Sequence, residues 1–166
     1  MIHLRRRSQF FLDQKATAAI EFGLIGSFLS VLTIGLVDFG IGYWEQMEVG
    51  NAVRAGTEYV IANASSLVTT WNATAIETAV TSATSLSGIS ASPTPSQSCG
   101  CPTASGGIST TGVNQNYPTC GGACTGGGTA GAYVTVNAQV SYSTLLTYPA
   151  ISNPTTLSAT MTVRYN

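Results

Sequence analysis

The stretch EFGLIGSFLSVLTIGLVD, from Glu21 to Asp38, decides how this chain is organised. Its ends are carboxylates, and the sixteen residues between them are uncharged and mostly apolar. On a helix that rises about 1.5 Å per residue, the two ends would lie about 26 Å apart, close to the roughly 30 Å hydrocarbon core of a bilayer. The stretch therefore predicts a membrane-spanning helix, which we place at about residues 20–44.

The composition excludes several classes of protein. Of 166 residues, 8% are charged and 44% are hydrophobic, so the charged surface of an ordinary cytosolic protein is missing. Beyond the first fifteen positions the basic residues are only Arg54 and Arg164, which leaves no basic face for nucleic acid. The only histidine is His3, and Glu77 is the only carboxylate after Glu58, so no acid–base pair or catalytic triad can be assembled there. No enzymatic activity and no cofactor are expected.

The N-terminal residues set the orientation of the predicted span. Residues 1–16 form a short leader with four basic residues: Arg5, Arg6, Arg7 and Lys15. Such a bias keeps this end of a membrane protein in the cytoplasm, so the remainder of the chain would be exported. Tyr43 and Trp44 fall where the far interface would place aromatic residues. A cleaved secretory signal peptide is the competing interpretation, although the apolar run starts late and is long for one.

The helical pattern continues beyond the span. Apolar and small residues recur at three- and four-residue steps, at Val49, Ala52, Val53, Gly56 and Val60. Polar residues point elsewhere, at Glu48, Asn51, Arg54 and Glu58. This is the pattern of an amphipathic helix, so we predict one helix over residues 17–63, roughly 70 Å long, whose exported half, residues 45–63, is covered by its own domain.

Small residues recur inside the span, with Ala19, Gly23 and Ser27 on one face and Gly26 and Ser30 on another. Helices in lipid associate where small residues let the backbones approach, so these faces are candidates for contact with partner helices. Glycine is also common in membrane helices for other reasons, which is the simpler explanation of any single position.

The two carboxylates differ in what they suggest. A charge at the centre of a bilayer helix costs roughly 2.5 to 3.5 kcal/mol, but the cost falls towards the edges. Asp38 is explained by a position at the interface. Glu21 follows small residues and precedes an entirely apolar run, so it is the stronger functional candidate.

Three blocks of the sequence carry a resemblance to a known family. They are KATAAIEF at residues 15–22, GLVDFG at residues 35–40 and NAVRAG at residues 51–56. In this order, around an apolar run, they resemble the TadE-like minor pilins or pseudopilins of tight-adherence (Tad) pili. The resemblance covers about residues 12–60. It implies a helix that packs into a pilus or its assembly base. Together with the small residues of the span, this makes Glu21, Gly23, Ser27, Asp38 and Arg54 the candidate assembly residues.

The resemblance also implies processing by a prepilin peptidase. Carried over to this chain, the cut would fall between Ala16 and Thr17 and leave Glu21 as the fifth residue of the mature protein. The residue before the cut is usually glycine in the family, and here it is alanine. The implied partners are other pilin subunits and the assembly machinery, and the implied location is the bacterial inner membrane, with the C-terminal domain in the periplasm or in an extracellular pilus.

A physical role for Glu21 follows without the family. In a bundle of like helices, the new amine of Thr17 would be a cation at the depth of the Glu21 carboxylate of a neighbour. Pairing of the two in a low dielectric would favour one axial register, which is a well-attested use of buried charge pairs.

The C-terminal part, residues 64–166, predicts a small domain. Thr74 and Glu77 have capping-box spacing, which indicates a second helix over about 74–86 that ends at Gly88. Residues 88–131 are rich in Gly, Ser, Thr and Pro and contain four cysteines: Cys99, Cys101, Cys120 and Cys124. A disulfide between Cys99 and Cys101 would close a strained ring, so each should pair with Cys120 or Cys124. A zinc site of four thiolates is the alternative, although the spacing is unusual and the exported side favours disulfides.

Two segments at the end of the chain alternate as strands do. Residues 132–142 place Val134, Val136, Ala138, Val140 and Tyr142 on one face, and residues 156–165 align Leu157, Ala159, Met161, Val163 and Tyr165. Paired antiparallel against the outer half of the long helix, they would form a small α+β domain.

The predicted fold is therefore α+β. A long N-terminal transmembrane helix continues into an exported domain with a second helix, a disulfide-stapled loop and a C-terminal antiparallel β-pair. Two functions remain open at this point: a minor pilin that enters a pilus, or a single-pass membrane protein whose exported domain binds a partner, a surface or a glycan outside any filament.

Overall fold

The computed structural model describes residues 14–117, 119–147, 149 and 152–166. The leader predicted over residues 1–16 lies largely outside this range. The described residues form two compact units that divide between Ile41 and Gly42, here called the N-terminal unit and the C-terminal unit. The helices are α1 (Gln14–Ala62), α2 (Ala64–Thr69) and α3 (Ala73–Ser82), and the strands are β1 (Ser96–Pro102), β2 (Ile108–Ser109), β3 (Gly131–Tyr142) and β4 (Thr155–Arg164).

The long helix expected from the sequence is present as α1, which contains no proline. In its C-terminal part the predicted faces are the observed ones. The apolar and small positions Val49, Ala52, Val53, Gly56 and Val60 are buried, whereas Asn51, Arg54 and Glu58 are exposed. After α1, the side-chain amide of Asn63 donates to the carbonyl of Tyr59 at 2.9 Å, and the short helix α2 follows.

The second predicted helix exists and begins at Ala73, within one residue of the prediction, but its cap and its C-terminal end differ from it. The cap is Asn72, whose side chain accepts a hydrogen bond from the Ala75 amide at 3.0 Å, and Thr74 lies inside the helix. The helix ends at Ser82, well before Gly88. A tertiary contact explains the early end, because Thr84 donates from Oγ1 to Oε2 of Glu48 on α1 at 2.8 Å and accepts from the Leu86 amide.

The C-terminal unit contains one antiparallel sheet with the strand order β2-β1-β3-β4. The predicted β-pair is its β3–β4 ladder, in register from Tyr133 opposite Arg164 to Tyr142 opposite Thr155. The strands β1 and β2 were not predicted, since they lie in the segment that the sequence indicated as a stapled loop.

The core of the C-terminal unit lies between one face of the sheet, the outer half of α1 and α3. It is built from Val49, Ala52, Val53 and Val60 of α1, Ile76 and Val80 of α3, and Val134, Val136, Ala138 and Val140 of β3. Gly56 lies at the closest approach, because a methyl group there would meet Val80 and Val136. Odd-numbered residues of β3, including Tyr133 and Thr135, therefore belong to the opposite face of the sheet.

Candidate functional site

The N-terminal unit exposes a continuous apolar surface along α1. Phe22, Leu24, Phe28 and Leu36 are each at least 65% exposed, although such side chains are usually buried in water-soluble proteins. Residues Thr17–Ala62 include a window with a mean hydropathy of 2.0, none of which is buried. By length and composition this is one candidate membrane span near the N-terminus, as a single-pass membrane protein requires.

The three hydroxyl groups within the apolar run are satisfied on the helix itself. Ser27 donates to the carbonyl of Leu24 at 2.9 Å, and Ser30 donates to that of Gly26 at 2.8 Å. Thr33 makes the same bond to the carbonyl of Leu29. An unpaired hydroxyl raises the free energy of a helix in hydrocarbon. Because these hydroxyls are paired, their side chains can face lipid or another helix with little loss of stability.

The structure places the residues implied in assembly along one helix. Thr17, Glu21, Gly23 and Ser27 are exposed on α1, and a methyl group built on Gly23 would meet nothing within 4 Å. This face is therefore open to another helix. The roles of these residues, and a cut between Ala16 and Thr17, stay predictions.

Asp38 and Arg54, the other two residues implied in assembly, differ in exposure. Arg54 is exposed on the face of α1 that points away from the core of the C-terminal unit. Asp38 is 1% exposed, while its neighbours Val37 and Phe39 are about half exposed. An interfacial position alone does not account for such burial, and nothing in the sequence pattern indicated it.

The disulfides staple β1 to the glycine-rich loop that precedes β3. Cys99 is bonded to Cys120 and Cys101 to Cys124, which is one of the two cross-pairings that the sequence left open. All four cysteines are engaged, so the zinc alternative was wrong. The described residues also contain no group of three or more His, Cys, Asp or Glu side chains placed to hold a metal ion.

Side chains from the same loop cover part of the edge of β1. Gln115 accepts from the amide of Cys99 through Oε1 and donates to its carbonyl through Nε2, both at 2.9 Å. Tyr117 donates to the carbonyl of Gln97 at 2.9 Å. Further along, β2 pairs with Cys101 and Pro102. The unpaired backbone groups of an open strand edge can pair with another chain. Here the side chains of Gln115 and Tyr117 bond some of these groups on β1.

A partly buried side-chain bond holds the residues after β4 to β1. Nε2 of Gln97 donates to the hydroxyl of Tyr165 at 2.8 Å. Burial raises the pKa of Tyr165 above its ordinary value of 10.0, and the bond from Gln97 lowers it in part. The phenol is therefore neutral, and it fixes the last residues after β4 against the sheet.

Sequence reasoning missed Gln97, Gln115 and Tyr117. Each acts through backbone or phenol groups that are distant in the chain, such as Gln115 and Cys99, which are separated by 16 residues. The only local signal was the even number of cysteines around them, which indicated a stapled region but not its contents.

The part of the chain that matches a known protein family lies within α1. Residues 16–58 match a protein family described as TadE-like protein, which is about a quarter of the chain. The resemblance expected from the three sequence blocks is thereby confirmed over this segment, and the family is associated with Tad pili. No curated protein and no solved structure matches the chain.

Proposed function

We propose that this chain, which is TadE-like over residues 16–58, is a minor pilin or pseudopilin of a Tad-type pilus. It is anchored in the inner membrane by α1 and packs through that helix into the pilus or its assembly base. The C-terminal unit is displayed on the far side. The observation that carries the proposal is the exposed apolar surface of α1 inside the family-matched segment.

In this proposal a prepilin peptidase removes residues 1–16. The mature helix then begins with the free amine of Thr17 and runs 46 residues to Ala62. A positive amine at the positive end of a helix dipole is unfavourable, and more so in a low dielectric, unless a carboxylate neutralises it. Glu21 of a neighbouring subunit is the carboxylate available, because the next residue of that charge along the helix is Asp38.

The open face of Gly23 and Ser27 supports the same arrangement. Neither residue places a side chain larger than a hydroxymethyl group on the surface, and the Ser27 hydroxyl is already bonded within its own helix. A second helix can therefore approach closely there, as small residues permit between helices in lipid. Arg54, exposed beyond the span, is available for contacts between subunits outside the membrane.

Glu21→Gln tests the proposal, since it keeps the shape of the side chain and removes its charge. Removing one partner of a buried ion pair costs roughly 3–5 kcal/mol, so we expect the amount of this protein in sheared filaments to fall at least tenfold. The amount in the inner membrane should not change, because the apolar run is intact. Both amounts can be measured by immunoblotting of the two cell fractions.

Glu45→Gln is the matched control, because Glu45 lies on the same helix beyond the apolar run. It should enter filaments at the wild-type level. Equal recovery of the Glu21→Gln and wild-type proteins from filaments would contradict the proposed role of Glu21.

A further inference from the structure

An open groove lies on the C-terminal unit, on the face of the sheet that points away from α1. It has a volume of about 450 Å³. Its floor is formed by Ser98, Tyr133, Thr135 and Thr162, which belong to the three adjacent strands β1, β3 and β4. The register places Ser98 opposite Tyr133 and Thr135 opposite Thr162. The groove is therefore built on regular, hydrogen-bonded backbone.

The hairpin between β1 and β2 forms the rim of the groove. Thr103 accepts there from the amide of Gly107 at 3.0 Å, and the Thr103 amide bonds the Gly107 carbonyl at 2.9 Å. The turn is further fixed by Gly100, where a methyl group would overlap Ile108 of the facing strand. The disulfide from Cys101 to Cys124 anchors the start of this hairpin, so the rim is held in place.

The lining is neutral and rich in hydroxyl groups. Six of the ten lining residues carry a hydroxyl and none carries a charge. In the described part of the chain the only charged residues beyond Glu58 are Glu77 and Arg164, and neither lines the groove. A charged ligand such as a phosphate or an acidic peptide would find no counter-charge among the ten lining residues. The nearest charge on the sheet is Arg164, which lies opposite Tyr133 and donates from Nε to the carbonyl of Asn166 at 2.7 Å.

The floor also has unused hydrogen-bonding capacity. Tyr133 is 8% exposed, yet its hydroxyl bonds to none of the described residues. Thr135 and Thr162 bond to each other at 3.0 Å, and only one of them can donate in that bond, so the other keeps a free hydrogen. Hydroxyls that line an open groove and are not all paired within the protein can bond a polar ligand.

We infer that this groove binds a neutral carbohydrate. Sugar hydroxyls both donate and accept, which matches a floor of Ser, Thr and Tyr hydroxyls with both capacities. An extended peptide would instead add to a strand edge, and an apolar ligand would leave the floor unsatisfied. The Tyr133 ring is too buried to serve as a stacking platform, so a single site binds weakly.

The test uses the full chain in a membrane mimetic without sugar detergents. Saturation-transfer NMR measures the binding of neutral oligosaccharides of glucose, galactose, mannose and N-acetylglucosamine. One oligosaccharide of uronic acids is tested beside them, with the wild type and with Arg164→Gln. We expect at least one to bind, and Tyr133→Phe and Thr162→Val each to raise its Kd about three- to tenfold, as the loss of one hydrogen bond predicts. Thr156→Val is the matched control, because Thr156 is an exposed threonine of β4 outside the groove, and it should leave Kd unchanged.

Three outcomes would overturn the inference. One is that no neutral oligosaccharide of the panel binds. Another is that binding is equal in the wild type and in both groove variants, which would place the sugar elsewhere. The third is that only an oligosaccharide of uronic acids binds and that Arg164→Gln abolishes it, which would make the ligand anionic. None of these results depends on whether the chain enters a filament, so they are independent of the proposed pilin function.

Discussion

Replacing Gly56 with leucine is expected to lower the free energy of unfolding of the C-terminal unit by about 3 kcal/mol, at the upper end of the usual cost of overpacking a core. A Cβ atom at this position would lie 2.6 Å from Cγ2 of Val80 and 2.8 Å from Cγ1 of Val136. Both valines are fully buried, so neither side chain can move into solvent. Alanine at the same position should cost about 1 kcal/mol or more, even though it favours a helix.

Gly50→Ala provides the control for this prediction. Gly50 lies in the same helix, but a methyl group there would meet nothing within 4 Å. The substitution should raise the free energy of unfolding by roughly 0.5–1 kcal/mol, because alanine loses less backbone entropy than glycine. Denaturant unfolding in a membrane mimetic, followed by the fluorescence of Trp71 against the core, measures all three variants. Equal stability of Gly56→Ala and Gly50→Ala would show that α1 does not pack on the sheet as described.

Removal of the disulfide between Cys99 and Cys120, by alanine at both positions, is expected to lower the free energy of unfolding by about 3 kcal/mol. The bond closes a loop between residues that are 21 positions apart, and a loop of that length restricts the unfolded chain by about this amount. Small domains depend strongly on such crosslinks. Gln115 bonds the backbone amide and carbonyl of Cys99, and alanine keeps both groups, so these two bonds do not depend on the thiol.

The second disulfide is the matched comparison. Cys101 and Cys124 are 23 positions apart, so chain entropy alone predicts nearly the same loss for both pairs. Because Cys99 is fully buried and Cys101 is 8% exposed, alanine at Cys99 leaves the more enclosed void, and we expect the Cys99 and Cys120 variant to be the less stable of the two under oxidising conditions. Unfolding curves of the two variants, with peptide mapping of the remaining disulfide, decide this. Wild-type stability of the Cys99 and Cys120 variant would contradict the expectation.

The sequence predicted the elements whose signals are local. The apolar run of α1 and the alternation of β3 and β4 can be read within a window of ten to twenty residues, and both predictions are confirmed. The second helix was placed correctly, but its cap residue and its C-terminal end were not. Asn72 and Thr74 can both accept a hydrogen bond from a backbone amide at the start of a helix, and the observed cap is Asn72. The C-terminal end depends on a bond from Thr84 to Glu48, which lies 36 residues away.

The strands β1 and β2 could not be predicted from their own residues. The sequence SQSCGCP of β1 has no apolar alternation and contains a glycine and a proline, both of which are unfavourable in strands. Its extended conformation is fixed by β3, by two disulfides and by Gln115, all of which are distant in sequence. The groove was missed for the same reason, since its floor combines residues from three strands.

The membrane span of α1, in contrast to β1 and β2, can be predicted from its own residues. Membrane insertion depends on the summed hydropathy of one segment, so the span is readable from residues 20–44 alone, and the family match over residues 16–58 falls on the same segment. In the proposed function the partner of Glu21 belongs to another subunit, so no pattern within this chain could identify it. Its role therefore rests on charge and depth along the helix, and on experiment.

The most direct test of the account is the N-terminal residue of this protein in sheared filaments, determined by mass spectrometry of the purified filament fraction. A minor pilin processed by a prepilin peptidase predicts a mature N-terminus at Thr17, recovered with the filaments. Recovery of the protein only in the inner membrane, with Met1 intact, would contradict the account and favour a single-pass membrane protein that works outside any filament.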